Sequence, residues 1–335
     1  MTNYPRQALV GDIGHTNIRF AVVDIDELTV GNYASLSTGM FSGPAEALHA
    51  YLKSVPERPR MVGLSVAGPV EAGRARLSQL DWSFVKEDIA QVIEAEHICI
   101  VNEFEALAKV LPHLIAHDLQ PICGPATAEG RVKAVLGPGT GLGVAALVSG
   151  STGWTALPSR GGRAAFSAHT RDEFGLLAQM VPAVDHIAAE DVLSSKGLVA
   201  LYQALASSKS KLSNHLNAAE VVKMALVGHD PVARDAVDQF VSWLGRFARD
   251  VSLLYGATGG VYLAGGMVPR LIDPLCAGAF RMAFESKGVD RDYLSSIPVT
   301  AIKAADAGLR GAAVALAELV AERGEGRAAA FVPAA

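Results

Sequence analysis

The chain has 335 residues, half of them hydrophobic, so it is long enough to form two lobes that each bury a core. Its formal net charge is −5, from 29 lysines and arginines against 34 aspartates and glutamates, with no run of like charges. This balance argues against nucleic acid and against an anionic membrane as the main partner. Three widely spaced cysteines, no apolar leader and no run of about 18 apolar residues predict a soluble cytoplasmic protein.

The first motif is a glycine-rich turn between two apolar runs, over residues 9–24. The outgoing run is β-branched and too short for a helix, which predicts a strand, a turn and a second strand. Backbone N–H groups at such a hairpin tip can surround phosphate oxygens, and an aspartate beside them can hold Mg²⁺ directly or through water. The residues assigned to phosphate are Gly11, Asp12, Gly14, His15, Thr16 and Asn17, with Asp12 also holding Mg²⁺. The alternative is a tight turn that binds nothing.

Helices and strands are predicted to alternate after this hairpin. Apolar residues at helical spacing predict helices over 43–55, 84–95 and 104–111, and short apolar runs predict strands over 61–70 and 97–101. This alternation fits a mixed sheet covered by helices. Asn102 and Glu103 directly follow the second of these strands, at the end of a strand where ligands of open α/β sheets gather.

The hairpin pattern occurs a second time, over residues 135–148. Two copies at the heads of two halves indicate a duplicated domain with a nucleotide between the halves. A third glycine turn, over 261–270, follows a third strand-like run. The residues that these two later turns contribute to the nucleotide site are Gly139, Thr140, Gly141, Gly265 and Gly266.

The second half is mainly helical. Residues 112–131 have little internal pattern and are the expected junction between lobes, and 149–170 is rich in loops. Residues 171–255 are predicted to be almost entirely helical, ending in a long amphipathic helix over 231–255 whose apolar stripe is core, with a share available to a dimer. A last helix is predicted over 306–320.

These motifs resemble those of the bacterial glucokinase family, in the actin-like ATPase (hexokinase) superfamily, and the chain looks like a divergent member. The two hairpins are similar to the first and second phosphate motifs of that family, and 263–270 to its adenosine motif; the resemblance extends from about residue 8 to about residue 318. It implies an α/β, two-lobe, ribonuclease H-like fold with duplicated mixed sheets, ATP with Mg²⁺ in the cleft, and a homodimer. The implied lobes are a small lobe over 1–112 with the helix at about 306–320, and a large lobe over 113–305.

The catalytic carboxylate is the first departure from this family. The family has an aspartate general base where this chain has Glu103, which is one methylene longer. A displacement of about 1 Å at a reacting atom can cost on the order of 100-fold in rate. Glu103 is therefore a base for a differently seated hydroxyl, a weak base for the usual one, or no base at all, since an acid also stabilises the first turn of a helix.

The sugar pocket is the second departure. Asn102 and Glu190 match the sugar-binding residues of the family, but its Glu-Gly-Gly-His motif is replaced here by Arg160-Gly161-Gly162-Arg163. Its Thr-Asn pair is replaced by Ser78 and Gln79. Two interpretations remain open: the arginines recognise an anionic group, for which arginine is well suited, or they pair with Glu190 and Glu103 and fill the pocket.

The third departure is His15, which replaces the second glycine of the Gly-Gly-Thr turn of the family. A side chain is costly there if the position needs a positive φ. His15 either contacts phosphate or acceptor, or is an ordinary histidine at a hairpin tip.

Two functions remain in view. The first is an ATP-dependent, glucokinase-like sugar kinase that transfers the γ-phosphate to a hydroxyl of glucose or of a related sugar, including an acidic one. The second is a non-catalytic nucleotide- or sugar-binding protein derived from a kinase. Retention of Asp12, Thr16 and the second hairpin favours the enzyme, whereas the changes at Glu103 and the two arginines keep the alternative open.

Overall fold

The computed structural model describes residues 6–56, 58–77, 80–181, 186–209, 215–286 and 288–323. The chain forms two compact units. The first comprises the described residues of Met1–Ile115, Ser151–Ala156 and Ala304–Ala335, and the second those of Ala116–Gly150 and Leu157–Lys303. Each unit contains its own mixed sheet and its own buried apolar clusters.

The strands up to residue 102 are β1 (Gln7–Ile13), β2 (Asn17–Asp24), β3 (Val30–Ser37), β4 (Met61–Val66), β5 (Val70–Glu71), β6 (Arg74–Leu77), β7 (Trp82–Val85) and β8 (His97–Asn102). Five of them form the main sheet of the first unit in the order β3-β2-β1-β4-β8. The pairs β1–β2 and β2–β3 are antiparallel, whereas β1–β4 and β4–β8 are parallel. The first predicted hairpin is thereby confirmed, with Ile13 opposite Ile18 across the turn.

The helices of the first unit are α1 (Pro44–Leu52), α2 (Lys86–Ile93), α3 (Glu103–Val110) and, at the end of the chain, the helix Ala307–Glu322. The last of these packs against α3, β1 and β4. It carries a row of small and aliphatic residues, and a Cβ on Gly63 of β4 would lie 2.7 Å from the carbonyl oxygen of Ala312. Small residues on both elements therefore allow this helix to lie directly on the sheet.

The later strands are β9 (Leu119–Cys123), β10 (Val132–Pro138), β11 (Leu142–Gly150), β12 (Gly153–Ser159), β13 (Val261–Leu263) and β14 (Val299–Ile302). Their sheet has the order β12-β11-β10-β13-β14-β9. The β10–β11 hairpin is antiparallel, while β10–β13 and β13–β14 are parallel, so the first five strands repeat the arrangement of the first sheet. The predicted duplication and the second hairpin are both confirmed, and β9 adds an antiparallel edge.

The helices of the second unit are α4 (Arg171–Met180), α5 (Ala189–Val192), α6 (Ser195–Ser208), α7 (Ala218–Leu226), α8 (Pro231–Tyr255), α9 (Ile272–Cys276), α10 (Ala279–Glu285) and α11 (Arg291–Ser295); the C-terminal helix is α12. Helix α8 has the predicted bounds because both ends carry strong signals. The Asp230 carboxylate accepts hydrogen bonds from the backbone N–H groups of Val232 (2.8 Å) and Ala233 (3.2 Å). Gly256 ends the helix with φ +62°. Its apolar stripe, including Phe240 and Leu244, is fully buried, as predicted for core.

The sequence patterns were wrong at several short elements. Phe84, placed in a helix, lies in β7, and α2 begins only at Lys86. The small antiparallel sheet β5-β6-β7, the strand β12 in the predicted loop region and β9 in the predicted junction were all missed. Strands of two to seven residues give too few positions for a period to be recognised. In the described part of the chain, no helix combines the length and the apolarity that crossing a bilayer requires.

The close approach of two backbones at Gly137 generates a stability prediction. A Cβ at Gly137 would lie 1.6 Å from the carbonyl oxygen of Ala264, whereas a Cβ at Gly139 meets nothing within 4 Å. We expect Gly137→Ala to lower the free energy of unfolding by about 3 kcal/mol, because the sheet must open to admit the methyl group. Gly139→Ala should change it by less than about 0.5 kcal/mol. Urea unfolding of the two variants measures the difference, and equal midpoints would contradict this account.

Candidate active site

An ion pair lies beside the first hairpin turn. Asp12 in β1 is directly opposite Arg19 in β2, and Nη1 of Arg19 donates a hydrogen bond to Oδ2 of Asp12 at 2.9 Å. Ser65 is the register partner of Asp12 on the other side, in β4. Burial raises the pKa of Asp12, while the charge of Arg19 and the nearby Ser65 hydroxyl lower it. With Glu103, described below, these three residues form what we call the aspartate cluster.

The aspartate is also in contact with the start of α12. A Cβ on Gly308 would lie 2.8 Å from Cγ of Asp12, so a larger residue at this position would displace the Asp12 carboxylate. Gly308 is the second residue of α12, and the positive end of a helix dipole favours a carboxylate next to it. Helix α12 therefore helps to position the Asp12 side chain in β1.

The tip of the first hairpin is closed by backbone bonds. The Gly14 N–H donates to the Asn17 carbonyl at 3.0 Å, and the Thr38 hydroxyl donates to the carbonyls of His15 (2.8 Å) and Thr16 (3.0 Å). Thr16 and Asn17 are exposed at the tip. His15 does not have a positive φ, so its side chain costs no backbone strain.

Gly11, which the sequence also assigned to phosphate, lies within the sheet. It is buried in β1, and a Cβ there would lie 2.7 Å from Cδ2 of Leu64. Packing between strands accounts for a glycine at this position without any ligand.

Asn102 and Glu103 lie at the junction of β8 and α3. The Asn102 side chain caps α3: Oδ1 accepts from the Phe104 N–H at 2.9 Å, and Nδ2 donates to the Gly68 carbonyl at 2.8 Å. Glu103 is the first residue of α3. Burial, and to a smaller extent the charge of Asp12, raise the pKa of Glu103 to about 7 against the opposing charge of Arg19. A carboxyl group with a pKa near neutrality is suited to take a proton from a substrate hydroxyl.

In the second unit, the second hairpin turn and the third glycine turn are joined by hydrogen bonds. The Ala264 N–H donates to the Leu136 carbonyl at 2.9 Å, and the Met267 N–H donates to the Pro138 carbonyl at 3.2 Å. Between Ala264 and Met267 the chain reverses at Gly265, whose φ is +96°. These bonds place Gly265 and Gly266 next to the end of β10.

The tip of the second hairpin is also tied to α6. Gly139 donates its N–H to the Gly141 carbonyl at 2.8 Å. Its own carbonyl accepts from both the N–H and the hydroxyl of Ser195, each at 2.9 Å. Thr140 is exposed at the tip. These hydrogen bonds tie the turn to the start of α6.

Two arginines and one acid of the predicted sugar pocket form what we call the arginine cluster: Arg160, Arg163 and Glu190. Nε of Arg163 lies 2.9 Å from Oε1 of Glu190. Burial raises the pKa of Glu190, and the charge of Arg163 opposes this. A Cβ on Gly141 would lie 3.3 Å from Oε2 of Glu190, so the carboxylate is adjacent to the second hairpin turn.

The segment that follows the arginines is supported by a buried ion pair. Nη1 of Arg246 in α8 contacts both oxygens of Glu173 in α4, at 3.0 and 2.9 Å, and Nε1 of Trp243 donates to Glu173 at 2.8 Å. Nη2 of Arg246 donates to the Ser167 carbonyl at 3.0 Å, and its guanidinium lies 5.0 Å from the ring centroid of Phe166. Helix α8 therefore fixes residues 166–167, three to four positions after Arg163.

The structure brings the predicted residues into two groups. Asp12, Thr16, Asn17, Asn102 and Glu103 lie in the first unit, and Gly139–Gly141, Gly265, Gly266, Arg160, Arg163 and Glu190 lie in the second. Ser78 and Gln79 are outside the described residues. Sequence reasoning missed Arg19, Ser65, Gly308, Ser195, Glu173 and Arg246. Only Arg19 had a usable signal, because a three-residue turn places it directly opposite Asp12.

Oxygen donors of the aspartate cluster fit a magnesium ion that arrives with phosphates. No group of three or more His, Cys, Asp or Glu residues that could hold a metal occurs among the residues described. Mg²⁺, however, keeps several waters and needs only one or two carboxylates beside substrate phosphates. Asp12 supplies such a carboxylate, and Arg19 occupies only its Oδ2.

The repeated sheet, the two glycine hairpins and the near-neutral glutamate define a sugar kinase of the actin-like ATPase fold. Comparison with known proteins agrees: the family model described as Glucokinase matches residues 9–319. A glucokinase of Aromatoleum aromaticum is 38% identical over 317 residues, which cover 93% of this chain and 95% of that protein. The chain belongs to the glucokinase family, and it is by class an ATP-dependent hexose kinase.

Solved structures give the same result. A glucokinase from an Antarctic psychrotroph superposes with a TM-score of 0.80 at 33% identity, covering 93% of this chain and 99% of the other. A ROK family glucokinase from Streptomyces griseus, solved with glucose and AMPPNP, has a TM-score of 0.65 at 19% identity, covering 92% and 98%. At 19% identity, the match to the Streptomyces griseus structure shows only that the fold is shared. The non-catalytic alternative is not favoured by these findings.

The raised pKa of Glu103 predicts a dependence of stability on pH. The folded protein holds this proton up to about pH 7, whereas an ordinary glutamate has a pKa of 4.5. Ionisation of Glu103 therefore costs stability as the pH rises from about 4.5 to about 7. We expect Glu103→Gln to raise the free energy of unfolding at pH 8 by about 1 to 3 kcal/mol and to change it little at pH 4.5. Urea unfolding at both pH values tests this, with Glu87→Gln, an exposed acid in the first turn of α2, as the control. Equal effects of the two substitutions would contradict it.

The buried pair in α4 and α8 predicts a selective kinetic effect. We expect Glu173→Gln to raise the KM for the sugar by about 10-fold, while the KM for ATP changes less than about 2-fold, because Arg246 no longer holds the segment after Arg163. Arg249→Met is the matched control: Arg249 is also buried in α8, but it donates to the Ser286 carbonyl at 3.0 Å. Steady-state kinetics of both variants measure the split. A proportional rise of both KM values in Glu173→Gln would show a merely structural role.

Proposed function

We propose that this protein transfers the γ-phosphoryl group of ATP to a hydroxyl of glucose or of a related hexose. The observation that carries the proposal is Glu103, a carboxyl with a pKa of about 7 at the start of α3, in the neighbourhood of Asp12. The family membership and the glucokinase relatives support glucose as the acceptor.

In the proposed reaction, Glu103 accepts the proton of the sugar hydroxyl as that oxygen attacks the γ-phosphorus. The bond from the γ-phosphorus to the bridging oxygen breaks, and ADP leaves with the electron pair. The proton then passes from Glu103 to solvent. A pKa near 7 keeps a large fraction of Glu103 ionised at neutral pH while leaving it basic enough to take the proton.

The remaining residues bind and orient. Thr16 and Asn17 at the first tip, with Gly139, Thr140 and Gly141 at the second, offer backbone N–H groups and hydroxyls of the kind that hold phosphate oxygens. Asp12 would hold Mg²⁺ through water, and that ion would neutralise phosphate charge. Gly265 and Gly266 would lie against the nucleoside. Asn102 is a positioning residue, since its amide already caps α3 and holds the Gly68 carbonyl.

The longer side chain at position 103 is compatible with the base role. The first residue of a helix is fixed in direction by the cap, and Asn102 supplies that cap here. A glutamate at this position reaches further than an aspartate, so the hydroxyl that it serves lies further from α3. Ser78 and Gln79 remain proposed acceptor contacts on the resemblance alone.

Other properties are proposed on the resemblance to the family. We place the protein in the cytoplasm as a homodimer, with lobes over 1–112 plus about 306–320 and over 113–305. The two compact units support this division at residues 115 and 304 and differ from it at Ser151–Ala156, which fall in the first unit. Sedimentation equilibrium of the purified chain tests the dimer, and a monomer mass would contradict it.

The decisive assay is ADP release from Mg-ATP with and without glucose. We expect glucose to stimulate release, and Glu103→Gln to lower kcat by about 100- to 10,000-fold because the base is lost. kcat/KM of the unaltered protein should rise with pH up to about 7 and then level, following ionisation of Glu103.

The control for this assay is Glu105→Gln, which removes an acid from the same first turn of α3 and should retain most activity. Full activity in Glu103→Gln would overturn the base role. Absence of stimulated ADP release with every hexose tested would overturn the proposed function.

A further inference from the structure

The arginine cluster presents its cations to solvent and keeps its carboxylate beneath them. The side chain of Arg163 is 70% exposed and that of Glu190 is 22% exposed. Arg160 is exposed three residues earlier, at the start of the same short 3-10 turn. A ligand that reaches this turn meets guanidinium groups before it meets the carboxylate.

The turn that carries both arginines is held by close packing and by hydrogen bonds on both sides. A Cβ on Gly162 would lie 2.0 Å from the Leu142 carbonyl oxygen, so the turn is pressed against β11. The Arg163 carbonyl accepts from Nε2 of His186 at 3.1 Å. The Ala189 N–H donates to the Ala164 carbonyl at 2.8 Å, which ties the turn to the segment that carries Glu190. The arginines are therefore presented on a fixed base, which lowers the entropy lost when they bind a ligand.

The ion pair changes what Glu190 can bind. A carboxylate that already faces a guanidinium at 2.9 Å must give up part of that contact to accept a hydrogen bond from a neutral sugar hydroxyl. An anionic group can bind the outer face of the guanidinium, beyond the Nε atom that faces Glu190, so the ion pair need not break, although the Glu190 carboxylate reduces the net positive charge that the anion meets. Arginine also matches the planar, two-oxygen geometry of carboxylates and phosphates.

We infer that the preferred acceptor of this kinase is a hexose derivative with an anionic group, a carboxylate or a phosphate, which Arg163 binds while Glu190 holds the guanidinium in place. This inference rests on the proposed function and names its substrate class. Arg160 adds positive potential on the same side of the turn. The chemistry of transfer is unchanged: the acceptor oxygen forms the bond to the γ-phosphorus, ADP leaves, the hydroxyl proton goes to Glu103, and the anionic group takes no part.

The experiment compares acceptors in pairs that differ mainly in charge. Gluconate is paired with sorbitol, and glucose 1-phosphate with methyl glucoside, so that one pair tests a carboxylate and the other a phosphate. Each is supplied with Mg-ATP, glucose serves as the common reference, and ADP release is measured. We expect kcat/KM for the anionic member of at least one pair to exceed that for its neutral partner by about 10-fold or more.

Substitutions at the ion pair then assign the preference. Arg163→Gln should lower kcat/KM for the anionic acceptor by about 10-fold and leave the neutral one unchanged or improved, because Glu190 is released. Glu190→Gln should weaken use of the anionic acceptor less than Arg163→Gln does, because the cation remains although its position is less fixed. The matched control is Arg281→Gln in α10, which removes another exposed arginine and its 2.8 Å ion pair with Glu285 in the same unit.

The possible results distinguish failure of this inference, failure of the assignment to Arg163 and failure of the proposed function. Neutral acceptors used as well as their anionic partners would overturn this inference and leave the proposed function intact. An anionic preference that Arg163→Gln does not reduce, or that Arg281→Gln reduces equally, would overturn the assignment to Arg163. ADP release that no acceptor stimulates would be a failure of the proposed function itself.

Discussion

The ion pair between Asp12 and Arg19 is the interaction on which the aspartate cluster depends. The two side chains meet because β1 and β2 are joined by a turn of three residues, which puts them directly opposite each other. The guanidinium lowers the pKa of both carboxyls in the cluster, while burial raises them. The pKa of Glu103 is near 7 because burial and the charge of Asp12 raise it and the charge of Arg19 lowers it. The two side chains paired across the first hairpin therefore both influence the pKa of the residue at the start of α3.

Close approach between glycines and neighbouring backbone is the second constraint. Gly137 admits the Ala264 carbonyl, Gly162 admits the Leu142 carbonyl, and Gly308 admits the Asp12 side chain. The first contact joins the two glycine turns of the second unit, the second holds the arginine-bearing turn against β11, and the third positions the Asp12 side chain. Several glycines in the motifs therefore serve packing that places the site, in addition to any contact with phosphate.

The two groups of candidate residues differ in how they depart from the glucokinase family. In the first unit, the departure at Glu103 is a single methylene, and the surrounding charges leave a carboxyl that titrates near neutrality. In the second unit, arginines stand where the family has a glutamate and a histidine, and Arg163 forms an ion pair with Glu190. Arg246 and Glu173 hold the segment that follows the arginine-bearing turn, whichever side chains that turn carries. The fold and this support are therefore compatible with either a neutral or an anionic acceptor.

The sequence by itself determined the hairpins, the duplication and the long helix over 231–255, because each leaves a local signal: a glycine turn between apolar runs, a repeat, a capped apolar period. The residues of the candidate site were predicted from the same motifs and remain predictions. The tertiary structure alone decided the Arg163–Glu190 pair, the seat of Asp12 on Gly308 and the support of the loop by Arg246. These contacts join residues that are far apart in the chain, and no local pattern encodes which of many charged side chains will meet. The pKa of Glu103 is likewise a property of burial and neighbours, which exist only after folding.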